Sequence, residues 1–410
     1  PLPLHGPLPI IAFLALLIGA FAKAGVMPFH SWITESAEVA PVTVMAYLPA
    51  ALDKLLGIYF LVRLCYDIFR LEPNSALSLL LLAVGSLTIS VAVVGALLQH
   101  NFKKLLAWHA ISQVGYMVVG IGTGLPLGIA GGLFHMFNNT IYKTCLFLCG
   151  GAVEKRTGTT DLEKLGGLAK FMPLTFTAAL IAALSISGVP PFNGFFSKWM
   201  IYQGIFELSK FNNYWIIWLL AAMFGSALTL ASFVKLIHAT FLGQWSERTA
   251  KAREVEWPMW LPLLILAALC LIFGVLAVQL PLRYLVFPTV GVSQFSGFWR
   301  PGLAALLLLL GLAVGWLIYW LGRPGPATVK PIFIGGEKLP EGSIKISGLN
   351  FYDTIIPPLA EKRYFDLYQL VAGGALIISG WLDRLFNGRL AASLTWLVIG
   401  AGLVALLVLR

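Results

Sequence analysis

Charge is what this sequence has least of. Asp, Glu, Lys and Arg make up 11% of its 410 residues, where soluble domains carry about 25%. That shortfall excludes an ordinary soluble chain, although the length alone would suit two or three soluble domains. Cysteine is nearly as sparse. There are four, Cys65, Cys145, Cys149 and Cys270, all in or beside apolar runs and with no C-x-x-C pair. Neither a zinc nor an iron–sulfur site is therefore indicated, and Cys145 and Cys149 read as small buried hydrophobes. No G-x-G-x-x-G follows a strand-like run, so nothing signals a nicotinamide or flavin site. An initiator Met and a signal peptide are also missing. The chain opens on "PLPLHGPLP" and runs straight into an apolar segment, and the expectation is that an N-terminal part precedes Pro1.

What is present is apolar. Hydrophobic residues make up 59% and mean hydropathy is +0.85. Runs of about 20 apolar residues, the length of a membrane-crossing helix, recur along most of the chain. They lie near 8–26, 41–68, 76–98, 104–123, 127–151, 173–190, 194–208, 213–241, 257–280 and 299–322, with two more near 364–384 and 387–409. The predicted class is an all-α polytopic membrane protein of about ten to twelve hydrophobic segments. The net charge of +10 then reflects Lys and Arg in cytoplasmic loops. No basic patch interleaved with aromatics is present, so nucleic acid is not an expected partner, whereas lipid is. The stretch 323–362 is rich in Pro, Gly and Lys and reads as an extramembrane loop. Residues 364–384 fit either a span or an interfacial helix.

Two of the apolar segments are interrupted. In "GVPPFNG", Gly188 and Gly194 loosen the chain and Pro190 and Pro191 remove backbone donors. The segment 194–208 that comes next is too short to cross alone. "GVMPFHSW" at 25–32 echoes "GVPPF" and "SKW" at 188–199, with Lys23 before the first and Lys198 inside the second. Broken helices persist in a membrane only where protein or a water-filled cavity surrounds them. Paired interruptions in matching halves point to a transport site built from structural repeats.

The ionisable residues inside the spans carry the functional signal, since each costs about 2.5–3.5 kcal/mol at mid-bilayer on insertion scales. In "LFHMFNNTIYKTCLFL" (133–148), His135, Asn139 and Lys143 are spaced four apart. On a helix they line one face over about 12 Å. Such a stripe can hold water and pass protons, because His titrates near neutrality and a desolvated lysine gives up its proton more readily. Asn139 reads equally well as a helix–helix hydrogen bond. Lys54 in "AALDKLLGIYFLV", Lys198 in "NGFFSKWM" and Lys235 in "LASFVKLIHATFL" are flanked by apolar residues. Lys23 and Lys103 also admit an interfacial reading, as a snorkel and a positive-inside anchor. His109 and Tyr116 are expected as packing residues. Several intramembrane lysines with almost no carboxylates suit proton hopping better than sodium binding, which needs oxygen ligands.

The motifs together resemble the antiporter-like membrane subunits shared by respiratory complex I, the multi-subunit Mrp sodium/proton antiporters, and membrane-bound hydrogenases and formate hydrogenlyases. "AKAGVMPFHSWITESAEVAPVTV", "NFKKLLAWHAISQVGYM", "FHMFNNTIYKTCLFL" and "GVPPFNGFFSKW" carry the resemblance, over about residues 15–240. It implies two inverted helical repeats with discontinuous helices and a polar axis in mid-membrane. The repeats are expected over 1–70 (the end of the first) and 71–240 (the second, broken at 188–199). Further membrane helices are expected over 241–322, a loop over 323–363, and C-terminal helices over 364–410. Carried over by position, Lys23, Lys54, Lys103, His135, Lys143 and Lys198 match the proton pathway. Lys235 is added from the apolar-run reading. Asn139 departs from the histidine common there, so a relay would pass it through water. The family's glutamate partner for Lys23 is expected outside this chain. The resemblance implies proton translocation within a redox-driven membrane complex of bacterial or archaeal cells. This chain would itself hold no cofactor, and its partners would be further antiporter-like subunits and a peripheral iron–sulfur arm. "DLEKLGGL", "PPFNGF", "LNFYDTI" and "FDLY" look most like the hydrogenase branch. A cofactor-free sodium/proton antiporter subunit is the alternative.

Overall fold

A computed structural model describes residues 1–244, 247–291 and 301–322, together with 373, 374, 376, 377 and 380. The chain divides into two units, Pro1–Pro357 and Pro358–Arg410. The five described residues of the second are helical, and all the other described residues belong to the first. The loop and C-terminal segments expected beyond 322 otherwise lie outside the described residues.

The architecture is all-α and polytopic. In chain order the helices are α1 (Pro7–Ala24), α2 (Ser31–Val39), α3 (Val42–Tyr47), α4 (Asp53–Arg63), α5 (Ala76–Leu97), α6 (Phe102–Gly122), α7 (Pro126–Thr157), α8 (Pro173–Ser187), α9 (Asn193–Glu207), α10 (Trp215–Ile237), α11 (Glu247–Ala250), α12 (Trp257–Val275), α13 (Phe287–Val290) and α14 (Pro301–Gly322). Among the described residues, seven helical stretches are long and apolar enough to cross a membrane. The segment expected at 41–68 is one such span but is not uniform. A π-turn over Leu48–Leu52 separates α3 from α4, and a second over Leu64–Ile68 ends it.

Local chemistry sets the helix ends. Asn101 caps α6, its side chain accepting from the backbone N–H of Lys103 and Lys104. α7 starts on Pro126, whose missing N–H is no loss at a first turn, and runs for 32 residues to Gly158 in the left-handed conformation. Both expected interruptions are present. α1 ends on Gly25 (φ 79, ψ 39) before α2, and α8 ends on Gly188 (φ 81, ψ 34) before α9. The matching left-handed glycines let the chain leave one half-helix and start the next.

α7 is the hub. It packs on α6, α8, α9, α12 and α3, while α6 is sandwiched between α5 and α7. Nearly all of α6 is buried. Close approach of the helices depends on small residues. A Cβ on Gly115 would lie 2.7 Å from the Gly85 carbonyl of α5, and one on Gly57 of α4 would lie 2.6 Å from the Ala24 nitrogen of α1. The buried, close-packed α6–α7 pair is what carries polar groups away from the protein surface.

Candidate functional site

The polar stripe of α7 is buried along its whole length: His135, Asn138, Asn139 and Lys143 are all 0% exposed. Each finds a specific neighbour. The Lys143 ammonium donates to the Leu106 carbonyl of α6 at 2.7 Å and lies 5.9 and 5.8 Å from the ring centroids of Phe147 and Phe233. Asn139 donates to the Ala50 carbonyl at 3.2 Å, inside the π-turn that precedes α4. Asn138 donates to the Asn193 carbonyl at 2.9 Å, where α9 begins. His135 bridges two helices, with Nδ1 2.9 Å from Ser197 Oγ on α9 and Nε2 3.2 Å from Gln113 Oε1 on α6. The Tyr142 hydroxyl stands 3.3 Å from that same Nε2.

Lys54 and Lys198 flank this stripe. Both are buried, at 0% and 2% exposure, and neither ammonium has a hydrogen-bond partner among the described residues. Burying such a group without compensation is expensive. Lys198 follows the break between α8 and α9, and its ammonium sits 4.7 Å from the Tyr116 ring centroid. A cavity of about 210 Å³ opens beside it, lined by Ser187, Gly188, Phe195, Trp199, Tyr202, Met223 and Ser226. Its lining is mostly apolar, with Lys198, Ser187, Tyr202 and Ser226 as its polar members.

The glutamate that the resemblance pairs with Lys23 is expected outside this chain; within the chain Lys23 meets a different carboxylate. Lys23 forms an ion pair with Asp53 at the start of α4. Asp53 is nearly buried and Lys23 half-exposed, and a second cavity of about 440 Å³ lies against both, with Trp32 on its wall. Buried lysines and histidines thus share the interior as a row spread over four helices: Lys54 on α4, His109 on α6, His135 and Lys143 on α7, and Lys198 on α9.

The other two lysines stand elsewhere. Lys103 lies in the first turn of α6, 3.4 Å from Glu154 Oε1 and 3.5 Å from the Ala40 carbonyl. Lys235, in the last turn of α10, donates to the Leu97 carbonyl at 2.8 Å. His109 and Tyr116 do pack, as expected, and also carry polar contacts. His109 Nε2 is 2.7 Å from Ser232 Oγ, and its ring lies 4.7 Å from Phe233, so Phe233 neighbours both His109 and Lys143. The Tyr116 hydroxyl donates to the Ala222 carbonyl at 2.6 Å and meets Ser226 Oγ at 2.9 Å. Asp53, Gln113 and Ser197 were not singled out from the sequence. Asp53 carried a usable signal, a carboxylate in an apolar run. The two polar side chains of α9 and α6 carried none. Among the described residues, no three His, Cys, Asp or Glu side chains converge as a metal-ligand set.

Outside the spans, charge is paired conventionally. Lys155 and Arg156 at the end of α7 meet Glu256 at 2.9 and 3.1 Å. The Lys155 hydrogen bond, helped by a backbone N–H and by Arg156, holds the Glu256 carboxyl down at about 2.

Comparison with known proteins bears on this arrangement. The family described as NADH:quinone oxidoreductase/Mrp antiporter, transmembrane, matches residues 5–229. Hydrogenase-4 component B of Escherichia coli (strain K12) is 34% identical over 343 residues, covering 75% of this chain and 51% of that protein. An Na(+)/H(+) antiporter subunit of Alkalihalophilus pseudofirmus is 37% identical over 269 residues, covering 66% and 53%. The chain thus spans about half the length of these curated relatives. Among solved structures, a chain of the membrane-bound sulfane sulfur reductase, an archaeal respiratory membrane complex, superposes with a TM-score of 0.77 at 29% identity. That match covers 98% of this chain and 68% of the other. A chain of the Mrp complex from Dietzia sp. DQ12-45-1b gives 0.60 at 26%, covering 67% and 57%.

Proposed function

The chain belongs to the NADH:quinone oxidoreductase/Mrp antiporter membrane family, and from that premise we propose that it moves protons along its buried lysine–histidine row as one subunit of a redox-driven membrane complex. The observation that carries the reading is the row itself. Lys54, Lys143 and Lys198 are all buried in the interior, and two of the three ammoniums lack a hydrogen-bond partner among the described residues. A structural lysine would be paired. A proton carrier has to be able to lose its charge, and a buried ammonium without a hydrogen-bond partner meets that need.

The step follows from Coulomb's law. A proton arriving on one lysine raises the energy of charge on the next, because like charges compete in a poorly screened interior. Lys54, Lys143 and Lys198, with His109 and His135 buried among the same helices, are the groups the proton would visit. Asn139 bears no titratable proton, and its amide is spent on the Ala50 carbonyl, so water carries the proton past it. Asp53 holds the charge of Lys23 at one end of the row. Lys103 and Lys235, at helix ends and bonded to a carboxylate or a carbonyl, serve as flanking groups.

The expected partners are further membrane subunits, antiporter-like ones among them, and a peripheral arm with iron–sulfur centres where electrons would flow. No redox cofactor is assigned to this chain. The likeness to an Na(+)/H(+) antiporter subunit supports a second reading, a Mrp-type complex without redox chemistry. Iron content and subunit composition of the complex purified from its native membrane separate the two. The relay is tested in vesicles containing the whole complex: Lys143→Ala and Lys198→Ala should each cut proton translocation roughly 100-fold, the scale of a lost proton-transfer group. Parental pumping in both variants would overturn it.

A further inference from the structure

The hydrogens around His135 can be placed by elimination. Ser112 donates to the His109 carbonyl at 3.3 Å, so its oxygen is left to accept, and it takes a hydrogen from the Gln113 amide at 3.0 Å. That contact turns the Gln113 NH2 group to Ser112 and its Oε1 to His135 Nε2, 3.2 Å away. An amide oxygen only accepts. Nε2 therefore carries a hydrogen, and in the neutral ring Nδ1 is bare. Ser197, 2.9 Å from Nδ1, donates to it. His135, Ser112, Gln113 and Ser197 are all 0% exposed, so bulk solvent does not stand in for these partners.

The same serine has a second place for its hydrogen. Its Oγ lies 3.2 Å from the Gly194 carbonyl, one turn back on α9. When the ring gains a proton, Nδ1 becomes a donor and Ser197 must accept. The hydroxyl then turns its own hydrogen to Gly194, and neither side chain loses a partner. In an α-helix the Gly194 carbonyl is also the acceptor for the N–H four residues on, that of Lys198. Further bonds hold the start of α9 in place. Ser185 donates to the Asn193 side chain, and Asn138 donates to the Asn193 carbonyl at 2.9 Å. The other titratable groups about the ring are Tyr116 of α6, 5.6 Å between centroids, and Tyr142 of α7. Lys198 of α9 reaches the same Tyr116 ring. α4 and α12, which also pack on α7, bring Lys54 and Cys270. Among the described residues, Ser197 alone is hydrogen-bonded to Nδ1.

We infer that Ser197 is a positioning residue for His135. Its hydroxyl reverses direction with each proton that the ring gains or loses at Nδ1, and carries that change to the turn bearing Lys198. The inference rests on the relay reading above and adds the atom at which His135 takes its proton. In the step, the Nδ1 lone pair takes a proton released by a relay lysine, which becomes a neutral amine, and the ring becomes an imidazolium. Ser197 keeps its hydrogen and moves it from Nδ1 to the Gly194 carbonyl. The Nε2–H bond to Gln113 is unchanged. The return transfer reverses each change.

The test uses the whole complex. In nitrogen NMR spectra of histidine-labelled complex at high pH, the His135 signal, identified by its loss in His135→Asn, should show Nε2 protonated and Nδ1 bare. A neutral ring protonated on Nδ1 would overturn the proposal. In vesicles, with rates taken per assembled complex, Ser197→Ala should slow proton translocation about tenfold, the worth of one hydrogen bond. Charge-assisted hydrogen bonds are roughly twice as strong as neutral ones, so the charged ring loses more than the neutral one. The pH profile should therefore move about one unit to the acid side. Ser197→Thr keeps the hydroxyl and should hold the parental profile. A Ser197→Thr complex as slow as Ser197→Ala would mean that the site needs a small side chain rather than a hydroxyl, and would overturn the proposal. So would a parental rate and profile in Ser197→Ala. If that result came with a collapse of pumping in His135→Asn, the serine's role would fall and the relay would stand. If His135→Asn itself pumped normally, the relay reading would be the one to fail at this residue.

Discussion

Gly57→Ala is the sharpest test of how the row is assembled. Gly57 lies one turn beyond Asp53 on α4, and the residue it touches, Ala24, directly follows Lys23 on α1. A Cβ at position 57 would sit 2.6 Å from the Ala24 nitrogen and 2.8 Å from its Cα and Cβ. Carbon contacts are comfortable at about 3.5–4.0 Å, so the two helices must part by roughly 1 Å. Backbone cannot swing aside as a long side chain would. Overpacking of this kind costs about 1–3 kcal/mol, and the better helix propensity of Ala returns about 0.5–1 kcal/mol. The net loss of stability is therefore at most about 2.5 kcal/mol. The functional loss should be larger, because the separation falls next to the Lys23–Asp53 pair, and a misplacement of about 1 Å can cost roughly 100-fold in rate. Thermal unfolding in detergent and proton uptake in vesicles measure the two effects. Asp53→Asn keeps the packing and removes the charge, so it should lower pumping without the thermal shift. A Gly57→Ala complex with parental stability and parental pumping would refute the helix-contact argument.

Other expectations concern the edges of the bundle. Glu254 accepts from the Leu174 and Thr175 N–H groups at 2.9 and 3.1 Å and from the Thr175 hydroxyl at 2.6 Å, capping α8 from a distant loop. Glu254→Ala should therefore cost about 1–2 kcal/mol, the worth of a good N-cap, seen as a lowered unfolding midpoint. The Glu256 carboxyl, held at about 2, lies below the usual glutamate value of about 4.3. Its contribution to stability is full above that usual value and is lost as pH falls through about 2. Unfolding midpoints of the parent and Glu256→Gln should run parallel from pH 5 to 8 and converge in acid. A difference that grew above pH 5 would contradict the assignment. Gly188→Ala forces a left-handed backbone on a residue with a Cβ, costing about 1–2 kcal/mol, and crowds Lys198. It should depress translocation per amount of expressed protein, measured against the parent on matched membrane preparations.

Much of this was legible in the sequence, and the remainder was hidden for identifiable reasons. Hydropathy located the spans, and the glycines and prolines located both helix breaks, because those residues act through their own backbone. The His135–Asn139–Lys143 stripe was legible because helical periodicity places residues four apart on one face. The Lys23–Asp53 pair was not. It joins two helices whose relative rotation is set by packing at Gly57 and Ala24, and spacing along one helix says nothing about that. His109 looked like a packing residue, and its ring does pack on Phe233. Its hydrogen bond to Ser232 crosses to α10, a helix that spacing along α6 could not place beside it. The π-turn at Leu48–Leu52 left no mark in hydropathy, since every residue in it is apolar or proline.

That π-turn also limits what the gene can tolerate. A helix advances about 100° per residue, so the extra residue accommodated at Leu48–Leu52 rotates everything after it by that angle. The turn presents the Ala50 carbonyl to Asn139 and sets the angle at which α4 presents Asp53 to Lys23 and carries Lys54 into the interior. Loss of one codon from this stretch would restore a smooth helix and turn both charged side chains through more than a quarter-circle, while hydropathy hardly changed. The span would still insert in the membrane. Here an in-frame single-codon deletion acts as a change of phase, and the hydrophobicity that governs insertion cannot detect it.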